Sequence, residues 1–238
     1  MKKSLVILLV ALVALALLAS CKNSPDTTKK GYTGKEYAPG STGPGGGIVF
    51  YDVDADNDSG NADGLKSDDC GWRYLEAAAK DAPSNNPTAT FVFGYYIDSS
   101  GTNQVVGTTP ETGGDKIGAG KDNTSAIIAA MGNGCCSSEN DSSPTRDFSA
   151  AGIIISINTN KLDGFGGKDD WFLPSKEEAL AMVNYITTLT NTYWTSTEAA
   201  NNSTTMAITV VKNSGETSAS SSNVHKNTEA YVRPVRRF

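Results

Sequence analysis

Apolar and polar positions divide the chain into short strand-like runs, long polar loops and a few helical stripes. Ile48-Val49-Phe50-Tyr51 is a compact apolar run with strand character, and Trp72, Tyr74 and Glu76 fall on one face at period two. Phe91 to Ile97 is an apolar island in the otherwise polar span 80–120 and predicts a short strand or hairpin. Asp122 or Thr124 is placed to cap a helix running to about Met131, with Ile127, Ile128 and Met131 inward. Ala151 to Ile157 is a short apolar run that predicts a buried strand or a helical turn. Met206 to Val211 alternates as a strand. Asn213 and Gly215 then offer a turn, a Ser/Asn-rich stretch covers 218–227, and 230–238 reads as a last strand.

The stretch Gly164 to Glu178 punctuates this pattern most sharply. A glycine-rich turn leads into Trp171-Phe172-Leu173, and Pro174 ends any strand because it has no N–H for a ladder. Ser175 and Glu178 stand at capping-box spacing, and Ala179, Leu180, Met182, Val183 and Ile186 supply an apolar helical stripe. Two helices among many short, mostly antiparallel strands define an α+β class.

Charge narrows the possible partners. The formal net charge is -6, and removing Lys2 and Lys3 with a leader leaves 18 basic against 26 acidic side chains, a balance of -8. Nucleic-acid binding needs clustered Lys and Arg and is not expected. Arg233, Arg236 and Arg237 form the one basic cluster and read as a solvated or salt-bridged chain end. Lys2 and Lys3 precede an apolar run from Leu5 to Leu18, which is 14 residues long and too short to span a bilayer as a helix. The run ends Leu18-Ala19-Ser20-Cys21, which resembles a lipoprotein cleavage site, with Cys21 as the thiol that takes the diacylglycerol. The expected organisation is a signal peptide over 1–20, a flexible tether over 21–43 and a folded domain over 44–238. The chain is then anchored to a membrane through lipid. Lys22 is no inner-membrane retention signal, so the outer membrane or cell surface is the expected address.

Several stretches invite chemistry. Gly43-Pro44-Gly45-Gly46-Gly47 precedes a strand, whereas a phosphate loop follows one, so it reads as a turn or as tight backbone packing. Asp54, Asp56, Asp58 and Asp63, interleaved with Asn and Gly, read either as a calcium loop or as a solvated acidic turn. The glycine comes one place late for an EF-hand, and Leu65 stands where its closing glutamate would be. Calcium is the one cofactor the sequence suggests. Cys70, Cys135 and Cys136 allow one disulfide from Cys70 to either of the adjacent pair, or a bridge within that pair. Asp169, Asp170, Glu177 and Glu178 could supply paired carboxylates for glycoside hydrolysis, but capping already accounts for Glu178. His225 is the single histidine and sits in a Ser/Asn-rich stretch, which gives a Ser-His-Asp triad little to stand on. Trp72, Trp171 and Trp194 read first as core and second as sugar-stacking platforms. A non-catalytic binding module is the expectation that absorbs most of these features.

Five segments occur in order: 46–51, 71–78, 170–178, 193–198 and 231–238. They read Gly-Gly-Ile-Val-Phe-Tyr, Gly-Trp-Arg-Tyr-Leu-Glu-Ala-Ala, Asp-Trp-Phe-Leu-Pro-Ser-Lys-Glu-Glu, Tyr-Trp-Thr-Ser-Thr-Glu and Tyr-Val-Arg-Pro-Val-Arg-Arg-Phe. Together they resemble the Lcl C-terminal domain family, a group of exported bacterial domains of unknown function that are often lipoproteins. The resemblance covers roughly residues 45 to 238. It implies a C-type-lectin-like fold, similar to formylglycine-generating-enzyme-like domains, with a small twisted sheet, two helices, long loops and a loop-rich recognition face. The calcium-dependent sugar triplet of true C-type lectins is missing, so sugar binding by that route is not expected. On the fold analogy, the ligand face lies at 201–205 and 218–225, with Trp194, Glu198, Asn201, Asn202, Asn223 and His225 as candidate contacts to a protein or glycan.

Overall fold

The computed structural model describes residues 34–55, 65–83, 85–94, 114–131, 149–203 and 205–238. Along the chain these form β1 (Ile48–Asp52), a single helical turn α1 (Ser67–Cys70), β2 (Tyr74–Ala77), α2 (Gly120–Met131), α3 (Ala150–Asn160) and α4 (Lys176–Tyr185). Strands β3 (Tyr193–Glu198), β4 (Met206–Val211), β5 (Ser220–His225) and β6 (Val235–Arg237) complete them. The strands make two antiparallel three-stranded sheets, ordered β1-β2-β6 and β3-β4-β5, so the class is α+β. Where the sequence suggests one small sheet and two helices, the described residues hold two sheets and three helices of two turns or more.

The extra helix is α3, which the sequence leaves as a strand or a helical turn. Ser149 starts it by accepting from the Gly152 N–H at 2.9 Å. Ile153, Ile154 and Ile157 are then buried, and Ile155 packs half-buried beside them. With so much of its surface covered, the helix shows no polar stripe from which a period could be read. Helix α2 begins at Gly120, ahead of both expected caps. Thr124 sits inside it, donating its hydroxyl to Gly120 O at 2.8 Å and accepting from the Leu173 N–H at 3.0 Å. A Cβ on Gly120 would lie 2.1 Å from Glu178 Oε2, so only glycine allows this approach. Residues 220–225, read as part of a polar stretch, are strand β5. Pairing with β4 overrides their weak intrinsic preference.

The 164–178 stretch ties these elements together. Trp171 buries its ring, donates Nε1–H to Phe165 O at 3.1 Å and meets the Phe165 ring edge-on at 5.9 Å. The Asn158 amide of α3 acts as a strand neighbour to Trp171, donating to its C=O at 2.8 Å and accepting from its N–H at 3.0 Å. Phe172 pairs through both backbone groups with Val235 of β6, at 2.8 and 2.9 Å. Pro174 O accepts from the Ser196 N–H of β3 at 2.7 Å. The expected capping box then opens α4: the Ser175 N–H donates to Glu178 Oε2 at 2.7 Å and the Glu178 N–H to Ser175 Oγ at 3.3 Å. Ala179, Met182 and Val183 of α4 pack with Phe172, Tyr193, Val210 and Val235. On the other side, Trp171, Leu173 and Trp194 pack with Phe93, Ile127, Ile154 and Ile157.

The expected last strand is broken at Pro234. Before it, Ala230 bridges Phe91 and Tyr231 bridges Tyr193; after it, β6 joins β2. A residue without an N–H therefore marks the point where the chain passes from one sheet to the other.

Candidate functional site

Strand β3 leads to the candidate face. Between Trp194 and Glu198 it advances four residues while β4 advances only from Thr209 to Ala207, which is a bulge. All six β3 residues are buried although four are polar. The hydroxyls inside the bulge are all matched. Thr195 Oγ1 donates to Ile208 O at 2.8 Å, Ser196 Oγ to Pro174 O at 3.2 Å and Thr197 Oγ1 to Gly114 O at 3.0 Å. A buried hydroxyl without a partner would cost free energy, so this bulge is a structural joint.

Two of the expected ligand contacts lie inside that joint. Trp194 is 0% exposed, donates Nε1–H to Phe91 O at 2.6 Å and meets Phe93 edge-on at 5.4 Å. It is a core residue whose ring has no face turned to solvent. Glu198 is buried and accepts from Lys226 Nζ, which in turn lies 5.1 Å from the Phe93 ring centroid. Their side chains are 1% and 3% exposed. Burial depresses the Lys226 ammonium, and Glu198 opposes that shift. Lys226 is the partner the sequence reading missed.

The other four candidates reach solvent at one end of the β3-β4-β5 sheet. Asn201 and Asn202 are exposed in the β3–β4 turn, whose backbone closes through Met206 N–H to Asn202 O at 2.9 Å. Asn223 and His225 are exposed on β5, opposite Ile208 and Met206. The Lys226 N–H donates to Thr205 O at 2.9 Å and so fastens the end of β5 to the turn. The face thus combines side-chain amides, one imidazole and serine hydroxyls above a buried ion pair.

The candidate carboxylates elsewhere serve the fold. Glu76 is fully buried and receives the Gly45 N–H at 3.0 Å to each oxygen and the Gly47 N–H at 2.7 Å. The 43–47 glycine run is therefore an anion cradle whose anion is the chain's own carboxylate. A Cβ on Gly47 would fall 1.9 Å from Ala77 O, which explains the need for glycine there. Arg236 bridges Glu76 at 3.2 Å to Asp170, which it holds through two bonds of 2.8 Å. Burial raises the Asp170 carboxyl, but Arg236 outweighs it and holds the group below the usual carboxylate range. Arg233 pairs with buried Asp81 at 2.7 Å, and Arg237 donates to Gly118 O at 3.0 Å. The C-terminal arginines are a salt-bridged end, as one of the two sequence readings has it.

Asp54 turns its carboxylate to Ser67, accepting from the Ser67 N–H at 2.9 Å and from its hydroxyl, with Arg73 Nε 3.5 Å away. That environment already satisfies the carboxylate and places a cation beside it. Asp56, Asp58 and Asp63 lie outside the described residues, as do Cys21, Cys135 and Cys136. Among the described residues no His/Cys/Asp/Glu cluster suits a metal ion. Cys70 Sγ, at the end of α1, donates to the O of Lys66, the residue before that helix, at 3.0 Å. Of the carboxylates considered for hydrolysis, Asp170 belongs to Arg236, Glu178 to the capping box, Glu177 lies 3.0 Å from Lys176 and exposed Asp169 lies 3.5 Å from Lys161. Compared with protein-family profiles, curated proteins and solved structures, the chain matches none.

Glu178 yields a pH prediction. Burial pushes its carboxyl up from 4.5 to about 7, against the pull of the Ser175, Gly118 and Gly120 N–H groups and Arg237. A carboxyl raised in the folded state stabilises the fold fully below pH 4.5, and that contribution is lost as pH rises through about 7. Glu178→Gln keeps an oxygen for the Ser175 N–H, gives up the acceptor of the Gly118 N–H and removes the titration. Wild type should therefore lose roughly 3 kcal/mol relative to the variant between these limits, read from denaturation midpoints across pH.

Proposed function

We infer that the chain is an exported, lipid-anchored bacterial lipoprotein whose domain binds a protein or glycan without catalysis. The site is the polar face formed by Asn201, Asn202, Asn223 and His225. The observation that carries this reading is the division of polar groups. Glu76, Asp170, Glu178, Glu198, Lys226 and Arg236 are engaged in holding the fold, whereas Asn201, Asn202, Asn223 and His225 are exposed side chains with hydrogen-bonding groups at one end of the β3-β4-β5 sheet. Rigid sheets that present polar turns suit recognition. The ordered motifs shared with the Lcl C-terminal domain family favour a C-type-lectin-like arrangement. Among the described residues no helix is long and apolar enough to cross a membrane.

Protease treatment of intact cells, followed with an antibody to the mature domain, tests this reading. Digestion without lysis is the expected result and places the face where an external ligand meets it. Protection until the envelope is opened would overturn the reading of an outward-facing binding module in favour of a structural envelope lipoprotein.

A further inference from the structure

We propose that the outer edge of β5 is an addition site for an extended segment of a partner protein, held chiefly by main-chain hydrogen bonds. This rests on the reading of the same face as the ligand face and makes the ligand a polypeptide.

Register fixes which groups point outward. β4 and β5 pair without a bulge from Met206 opposite His225 to Val211 opposite Ser220, and the Lys226 N–H donates to Thr205 O at 2.9 Å. Antiparallel pairs alternate, so Ser220, Ser222 and Val224 turn their backbone groups to β4, while Ser221, Asn223 and His225 turn theirs away. The His225 C=O accepts from the Thr228 N–H at 2.9 Å. What remains outward is the N–H and C=O of Ser221 and Asn223 and the N–H of His225. Among the described residues no strand pairs with this edge, and all three residues are exposed.

An edge of this kind is usually blunted by proline, charge, a bulge or a covering element. β5 reads Ser-Ser-Ser-Asn-Val-His, with no proline and no Lys, Arg, Asp or Glu, and its ladder is regular. Its small serine side chains leave the main chain open to a neighbour. Strand addition uses such an edge, with main-chain bonds giving affinity and alternate side chains giving selectivity.

Charge decides the occupant. Exposed Glu216 precedes β5 and exposed Glu229 follows it, while Lys212 comes just after β4, one strand further in. A second copy pairing antiparallel through Asn223 would set the Glu216 end of each copy against the Glu229 end of the other. That repulsion adds to a chain charge of -6. A partner with an uncharged β-branched core and a Lys or Arg at each end meets a carboxylate at both ends instead.

Fluorescence anisotropy of the peptide Lys-Thr-Val-Thr-Val-Thr-Lys against the full mature chain tests the inference. A control peptide carries N-methyl groups on the amides that would face β5. Saturable binding that weakens about tenfold or more on N-methylation is expected, because two or more hydrogen bonds are lost. Asn223→Pro should weaken binding similarly and leave the fold intact, since the Asn223 N–H faces outward. Replacing Asn201, Asn202, Asn223 and His225 with alanine keeps every main-chain group and should leave this generic peptide, which lacks the natural ligand's own side-chain contacts to those four residues, bound within about threefold. Absence of saturable binding, or equal binding of the two peptides, overturns strand addition. So does loss in the alanine variant with Asn223→Pro unaffected, an outcome that keeps the side-chain face as the ligand site. A wild-type dimer abolished by Asn223→Pro would assign the edge to a second copy and overturn the partner. Should Asn223→Pro fail to fold, the two peptides on wild type decide.

Discussion

Glu76→Ala is expected to destabilise the domain by about 3–5 kcal/mol, the usual cost of removing one member of a buried ion pair. Three consequences act together. Arg236, whose side chain is 7% exposed, keeps its charge with only Asp170 to answer it. The Gly45 and Gly47 N–H groups lose their acceptor where little water can replace it. A cavity also opens between the 43–47 loop and β2. Because Glu76 pairs across to Val49 and Arg236, the damage reaches both neighbours of β2. Chemical denaturation should show a lower midpoint with an unchanged slope. Glu76→Gln keeps the shape and most of the acceptors and should lose about half as much. A loss below about 1 kcal/mol for Glu76→Ala would mean that the cradle contributes little.

Lys226→Met should also cost about 3–5 kcal/mol, because it strands the Glu198 carboxylate in the core beneath the candidate face. The double variant Glu198→Gln with Lys226→Met removes both charges and should recover most of that loss. The double-mutant cycle then gives a coupling of about 3 kcal/mol, the upper end of the usual range for contacting groups. The surface turn should register the change as well. Lys226 fastens β5 to Thr205 through its backbone, and its side chain braces the end of β3. A double-variant loss equal to the sum of the two single-variant losses would show that the charges act independently.

How legible these features were depends on the sequence distance over which each interaction acts. The Ser175–Glu178 capping box is closed within three residues, so its spacing alone announces it. The Pro174 stop and the strands at Tyr74 and Met206 are local in the same sense. The cradle around Glu76 joins residues about 30 apart to Arg236, 160 positions away, and no local pattern encodes that pairing. Trp194 and Glu198 looked like parts of a ligand face because a polar turn follows them. They lie in the core because α4 packs against one side of β3, while Phe91 and Phe93 meet Trp194 on the other. The hydroxyls of Thr195, Ser196 and Thr197 disguised a buried strand as a polar one, since their acceptors at Ile208, Pro174 and Gly114 are distant in sequence. β5 was hidden for a related reason. Serine and asparagine are weak strand formers, and only the six-pair register with β4 holds them extended. What could be read correctly was the exposure of Asn201, Asn202, Asn223 and His225, because polar residues flanking turns are rarely covered.

The most direct test compares wild type with the variant carrying alanine at Asn201, Asn202, Asn223 and His225 on arrays of glycans and matrix proteins. A thermal melt of each protein runs alongside. The account predicts saturable binding of at least one ligand by wild type and about tenfold or greater loss in the variant. It also predicts a stability change within about 0.5 kcal/mol, as for exposed substitutions away from packed features. Undiminished binding by the variant, or binding lost only together with the fold, would contradict the assignment of this face.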